Sequence, residues 1–498
     1  MNISFKTIIK SFFGLAIFTL LAACEKDLDP TNFDRISTDN FLQTEGDFNV
    51  ALTAIYSSIG TQRRGRVVFG NRGTDEYRSN NGGEDRINNF EWTSSEPFSG
   101  LYTTNIRAIT RAGSFLLDIK NTTVIDEVAK NSYTAQVLSA RAFLMYELLT
   151  NYGACPVITD ETLLATISSN FDYKPSRPKP GTSEYDTYYQ NYAGLIESDL
   201  LTAIEKFNAS EGAKGTNDFG RFNKGVAYAI LTKLYMHEKQ WEKAEAASKA
   251  IIALAETSSN SLYKYKLYTD YNNMWSLQTE RHSEIIFAIP QTAGVYGQDF
   301  RAWTLHPHYT DKENAFNGDK VRIPFYNSFS STDKRRKNIT IEFTNIYSNK
   351  LVDMRKAPHN GGFIFKYQPD PDGPMASGVD IIVYRLADIY LTYAEAICWK
   401  NGGTTANAEA LKYFNLVRER AGLATLSELT ADIILQERGW ELYFEGFRRE
   451  DLIRHGKYIS KARDERSVDA KDFQVLYPIP LWAITENPDI KQNPGYVF

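Results

Sequence analysis

The sequence predicts a mostly α-helical protein, built from tetratricopeptide-like helical pairs, with minor β structure and long irregular loops. Three observations carry that expectation. Apolar residues recur at helical spacing through much of the N-terminal half and again near the C-terminus. Two segments, 225–252 and 384–423, each read as helix, short turn, helix, with small residues where antiparallel helices touch. Between them lies a loop-rich insertion, about 258–380, dense in Tyr, Trp, Asn, Gly and Pro.

The first element is an export signal. Lys6 and Lys10 precede an apolar run, Phe12–Ala23, broken only by Gly14 and Thr19. The run is shorter than the roughly 20 residues a spanning helix needs, and its charge-then-apolar order is that of a secretory signal. It ends in Leu-Ala-Ala-Cys, the spacing of a bacterial lipoprotein signal. Residues 1–23 are therefore expected to be removed, Cys24 to be acylated and residues 24–38 to form a lipidated tether. Glu25, Asp27 and Asp29 resemble the tag of lipoproteins sent to the outer face of some Gram-negative cells.

Residues 39–498 are expected to form the folded domain. In "DFNVALTAIYSSIG" (47–60), Phe48, Leu52, Ile55 and Ile59 make a helical stripe. Segments 101–119 and 133–153 repeat the pattern, the second stopping at Gly153 with Pro156 beyond it. Three prolines and a glycine in "FDYKPSRPKPGTS" (171–183) predict an exposed connection. In 225–252, Leu231, Tyr235 and Ala244 sit at tetratricopeptide spacing, with the turn near Lys239-Gln240. The second pair turns at 402–403. The two pairs follow no fixed period, so the repeats are degenerate.

Composition narrows the function. The formal net charge is −5, and removal of residues 1–23 takes away two lysines and no acids, which argues against nucleic acid as a partner. Cys155 and Cys398 are expected to be buried free thiols, since a chain this large needs no disulfide framework. The 30 Tyr, 29 Phe and 7 Trp exceed what a core ordinarily takes, leaving flat apolar faces for ligands. No catalytic, metal or cofactor motif stands out. "DPDG" (370–373) lacks the remaining ligands of a calcium loop and reads as a turn. His306 and His308 have no supporting ligand pattern, and neither a nucleophile elbow nor a phosphate-cradling glycine loop occurs. Arg438, Glu441, Glu445 and Arg448 fall on one side of a helix, where the arginines are expected to neutralise the carboxylates. Two acids one turn apart share a face and do not flank a substrate as glycosidase carboxylates do.

Near the C-terminus, "YRLADIYLTYAEA" (384–396), "NLVRERAGL" (415–423), "ERGWELYFEGFRREDLIRHGK" (437–457) and "YPIPLWAITENPDIKQNPGY" (477–496) occur in order. With the lipobox, the "AIYSSI" helix and the "SEIIFAIP" strand (283–290), they resemble the SusD/RagB family of surface lipoproteins. The resemblance implies about four tetratricopeptide-like helix pairs with a ligand site on loops of one face. It also implies a non-catalytic, outer-membrane lipoprotein that binds oligomeric nutrients and caps a SusC-like TonB-dependent transporter as a lid; the abundance of aromatic residues favours oligosaccharides as those nutrients. A member capturing oligopeptides would keep the same lid role. A surface glycosidase or a purely structural repeat protein are the rivals outside the family's function. The four prolines of 477–496 predict an extended strap across the helices.

An oligosaccharide offers C–H-rich faces rimmed by hydroxyls, so its site needs aromatic platforms with Asp, Asn and Arg beside them. Two stretches supply both, 73–98 and 295–309, and the resemblance places family ligand contacts in the same two regions. By chemistry and position the ligand-binding candidates are Asp75, Arg78, Trp92, Tyr296 and Trp303; Trp275 reads as core.

Overall fold

The computed structural model describes residues 41–496 apart from 61–62, 94–98, 167–172, 211–217 and 374. The chain divides into two compact units, Met1–Phe48 and Asn49–Phe498. Of the first unit only residues 41–48 are described, so the expected signal, Cys24 and the tether lie outside the described residues. Those eight hold a reciprocal cap: the Thr44 hydroxyl accepts the Asp47 N–H, and the Asp47 carboxylate accepts the Thr44 N–H at 2.8 Å. This cap starts helix α1 (Glu45–Gly60).

In the second unit α1 buries Leu52, Ile55 and Ile59, the stripe read from the sequence, and α2 (Arg63–Asn71) follows. The scaffold is then a row: α3 (Ser99–Asn121), α4 (Glu127–Tyr152), α5 (Ser183–Ala209), α6 (Lys224–His237), α7 (Trp241–Thr257), α8 (Leu386–Lys400) and α9 (Ala408–Ala421). Each packs on its predecessor, and α10 (Ala431–Leu442) lies on α8. Left-handed residues punctuate the row. Gly153 closes α4, Lys239 (φ 56°) turns α6 into α7, and Gly402 and Gly403 end α8. Ala244 is fully buried at the close approach of the α6–α7 pair, and the Trp241 and Trp399 rings stack 5.9 Å apart to pin α7 on α8.

Short strands form between α7 and α8, with one more contributed by the segment before α3. β1 (Tyr77–Ser79), β3 (Asp319–Arg322), β5 (Gly361–Ile364) and β4 (Ile339–Thr340) pair antiparallel in that spatial order. β2 (Ile285–Ile289) pairs with β6 (Ile381–Arg385); both are buried along their whole length, and β6 runs directly into α8. Cys155 and Cys398 are buried free thiols, and Trp275 is fully buried.

Buried charges lock this insertion to the C-terminal helices. Arg385 reaches Glu445 at 2.8 Å and Glu284 at 2.8 Å, and also pairs with Glu441; all are essentially inaccessible. Arg335 binds Asp333, Glu437 and Glu441, Arg420 binds Glu284 and Glu441, and Lys366 binds Glu445. Burial opposes ionisation of Glu441, but Arg420, Arg385 and Arg335 together outweigh it and hold the carboxyl well below the usual range. The neutralising partners are therefore not Arg438 and Arg448, as the helical spacing predicted. The helix stops at Leu442, and Phe444 (φ 56°) and Gly446 (φ 86°) redirect the chain before Arg448. Arg438 instead joins Asp388, Glu395 and Asp451, with Lys233 on Asp388 and Arg454 on Glu395, which ties α6, α8 and α10 to α11 (Arg448–Arg454).

The strap lies across α4, with the Tyr477 N–H donating to Asn151 O at 2.8 Å, but it is not wholly extended: Leu481–Glu486 is helical. Its carbonyls need donors, and the connection before α5 supplies them. Arg177, expected on an exposed loop, is fully buried and donates to the carbonyls of Ala154 and Lys491 and to Asn493 Oδ1 at 2.7 Å.

Removing Arg385 takes one buried partner from each of Glu284, Glu441 and Glu445, and leaves the remaining cations to neutralise three carboxylates out of water. Arg385→Ala should cost about 3–5 kcal/mol of stability by denaturant melts. Arg385→Lys should recover only part of this, because an ammonium cannot fork between carboxylates as a guanidinium does.

Candidate ligand-binding site

The two candidate stretches meet at the edge of the sheet. Arg78, on β1 opposite Lys320, donates to Asn360 O at 3.1 Å and Asn80 Oδ1 at 3.2 Å. Asn80 in turn donates its backbone N–H to Gly318 O at 2.8 Å and its side-chain amide to Asn317 O at 2.9 Å. Gly318 is the floor under Trp303. A Cβ there would sit 2.7 Å from the indole Cε3, so only glycine lets the ring lie on this backbone. Trp303, from the short helix Phe300–Thr304, is half-buried and donates its indole N–H to Asp299 at 2.9 Å. Its ring lies 5.3 Å from that of Phe316, which is 46% exposed. Arg78 and Trp303 thus share one neighbourhood, an aromatic pair beside amide and guanidinium groups.

Tyr296 lies in a second one. It turns a tight loop, accepting the Thr292 N–H at its carbonyl, and lines a cavity of about 380 Å³ with Tyr56, Gly60, Phe219, Arg221 and Pro290. Its hydroxyl donates to Ser57 O at 3.2 Å, close over Gly60, where any Cβ would collide with the phenol. The Arg221 guanidinium stands 5.5 Å over the Tyr56 ring. Tyr56, Phe219 and Arg221 were missed by sequence reasoning. Tyr56 sits on an amphipathic helix, where a ring reads as core. "DFGRF" (218–222) follows a glycine-containing polar stretch, a signal that could have drawn notice. Between the two neighbourhoods, Gln298 is fixed by reciprocal backbone hydrogen bonds with Ser377 at 2.8 and 2.9 Å.

Two candidates fall elsewhere. Trp92 is only 4% exposed, stacked on Phe90 at 4.9 Å, with its indole N–H donated to the Tyr496 hydroxyl at 2.8 Å. It is a core residue that holds the strap's end and offers no open face. Asp75 is gripped by both arms of Arg448 at 2.7 and 2.8 Å and by Lys461 at 3.2 Å. Burial alone would raise its pKa, but Arg448 and Lys461 outweigh it and hold the carboxyl well below the usual range. An acceptor so committed has little left for a sugar hydroxyl. His306 is buried against Phe343 with Nδ1 accepting the His308 N–H at 3.1 Å, and no metal-holding group of three or more ligands occurs among the described residues.

The sequence profile of the SusD family matches residues 291–496. Over that C-terminal part the chain is similar to the SusD family. The chain is 25% identical to a SusD-like protein of Formosa agariphila, over 95% of its own length and 97% of the relative's. It is 22% identical to the starch-binding protein SusD of Bacteroides thetaiotaomicron, with 64% of this chain and 66% of the relative covered. A laminarin-binding SusD-like protein superposes with a TM-score of 0.73 at 23% identity, covering 91% of this chain and 100% of that one. Surface glycan-binding protein A from Bacteroides uniformis does so with 0.73 at 20% identity, covering 90% and 99%. These likenesses establish the SusD fold.

Beside Asp75 the SusD scaffold keeps a carboxyl protonated. Burial pushes Glu76 up to about 8; one oxygen accepts the Phe444 N–H at 3.0 Å and the other has no hydrogen-bond partner among the described residues. A folded-state pKa above the unfolded value of about 4.3 contributes stability that is full at low pH and is lost as pH rises toward 8. Glu76→Gln, which keeps the acceptor, should remove that slope. Thermal melts from pH 5 to 8.5 should show the variant gaining on the native protein as pH rises.

Proposed function

We propose that the protein is a surface lipoprotein that binds oligosaccharides without cleaving them and delivers them to a SusC-like TonB-dependent outer-membrane transporter, acting as its lid. The observation that carries the binding is the aromatic-lined cavity at Tyr296, with the Trp303–Phe316 pair and Arg78 along the sheet edge. Flat rings with guanidinium and amide groups at their margins suit a ligand of C–H faces and hydroxyls. None of the described residues lining the Tyr296 cavity is a carboxylate, whereas glycoside hydrolysis uses a pair of them across the scissile bond. The solved relatives that bind laminarin or surface glycans support the ligand class. Acylation at Cys24 would hold the protein at the outer membrane, and the transporter partner follows from the family resemblance.

Isothermal titration of the protein truncated after Cys24, against an oligosaccharide panel and a peptide digest, tests this reading. Saturable binding to a saccharide is expected, with affinity weakened at least about tenfold in Tyr296→Ala or Trp303→Ala, the loss of one stacked ring. Trp92→Ala should lower thermal stability instead. Binding to peptides alone would replace the ligand class.

A further inference from the structure

A second cavity, of about 360 Å³, opens where the end of β3 meets α12 (Tyr458–Arg466). Arg322 from β3, Arg466 and Lys461 from α12, Gln436 from α10, Asn89 and the Asp75 carboxylate contribute polar groups to its wall. Ser328, Pro324 and Glu465, all exposed, mark its mouth. Arg466 lies close enough to Arg322 to disfavour its charge. Burial and the neighbouring Arg466 and Arg78 bring Arg322 down to about 9, and burial lowers Arg466 as well.

Their bonding is incomplete in the same direction. Arg322 donates Nε–H to Tyr77 O at 2.7 Å, while its buried Nη2 has no hydrogen-bond partner among the described residues. Arg466 donates to the carbonyls of Gly73, Thr74 and Asn88 and, at 3.4 Å, to Asn89 Oδ1, while its buried Nε has no partner among the described residues. Carbonyls hold both side chains, and neither makes an ion pair among the described residues. The acids that face them are otherwise engaged or remote: Asp75 is taken by Arg448 and Lys461, Glu465 by Lys461, and Asp85 acts only through space. Buried charges are ordinarily paired, and arginine forks fit a planar or tetrahedral oxyanion.

We infer that this cavity is an oxyanion subsite that takes the carboxylate or sulfate-ester substituent of an acidic oligosaccharide. Its volume lies near the small end of the ~300–1,000 Å³ typical of small-molecule sites, enough for one substituted ring but not a chain. Arg78 links it to the proposed glycan face, since that side chain borders Trp303's neighbourhood and also acts on Arg322. The ligand assignment rests on the glycan-binding reading.

The test uses the protein truncated after Cys24 and two variants, Arg322→Gln and Arg466→Gln, so that one misfolded variant does not end the experiment. First, thermal melts are run in sodium sulfate and in sodium chloride at matched ionic strength. A saturable rise in Tm with sulfate is expected in the native protein and absent in a folded variant. The general salting-out effect of sulfate climbs without saturating and persists in the variants. Second, titrations compare a neutral oligosaccharide, an oligogalacturonate and a sulfated oligosaccharide. An acidic chain should bind at least tenfold tighter to the native protein than to a variant, with the neutral chain unchanged; which acidic chain does so identifies the substituent. Equal sulfate response in native and variant proteins, or acidic-chain affinity that the variants leave unchanged, overturns the subsite. If Tyr296→Ala still abolishes neutral binding in that case, the glycan reading stands without it. Saturable sulfate stabilisation with no saccharide of any class bound overturns the ligand assignment together with the glycan reading.

Discussion

A guanidinium taken out of water must find its counter-charges inside the protein, and Arg385 finds three at once. Glu284 comes from the start of β2, Glu441 from the end of α10, and Glu445 from the turn after it. Arg335 and Lys366 bring in two further points of the insertion, and Arg420 brings in α9. None of these groups can be satisfied unless all the segments arrive together. Such a cluster contributes little net stability beyond what well-packed apolar residues would give, because desolvation offsets most of the attraction. What it imposes here is position: the insertion has one seat on the helical row, since any other leaves a buried charge unpaired.

That constraint reaches the loops of the proposed ligand face. Lys366 follows directly on β5, the central sheet strand beside β3, and β3 carries Lys320 opposite Arg78. Glu284 precedes β2, whose far end leads through Pro290 to the Tyr296 turn. The loops can therefore be rich in glycine and asparagine and still hold rings in fixed places. Gly60 and Gly318 take part by absence, each giving up a side chain so that a tyrosine or a tryptophan can lie on bare backbone. Rigid seating of this kind lowers the ordering entropy that a ligand must overcome on binding.

The helices were legible because their signals are local. The stripe in α1, the left-handed Lys239 between α6 and α7, and Gly402-Gly403 after α8 all follow from residues within a turn or two. The Glu441–Glu445 spacing was read correctly as a pair needing arginines, and the wrong arginines were chosen. The helix ends between the two acids, and the partners Arg335 and Arg385 lie far off in sequence, where periodicity carries no information. Trp92 failed for the same reason. A tryptophan in a polar, glycine-rich stretch reads as exposed until Tyr477 and Tyr496 close over it from the chain's other end. Arg177 shows the converse: prolines predicted a loop, and the loop is there, but nothing nearby announced that the strap would bury its arginine. Of the site candidates, Arg78, Tyr296 and Trp303 remain at the two aromatic neighbourhoods, while Asp75 and Trp92 are committed to the scaffold.

The account's central claim is that the ligand face is built before any ligand arrives, because the buried charges have already seated it. Amide hydrogen exchange, with and without a saturating oligosaccharide, reads this most directly. Slow exchange unchanged by ligand is predicted around Glu284, Arg385 and Glu441, with new protection confined to 57–60, 78–80, 219–221 and 296–318. Ligand-induced protection spreading through β2, β6 and α10 would contradict the claim, since it would mean that binding assembles the site.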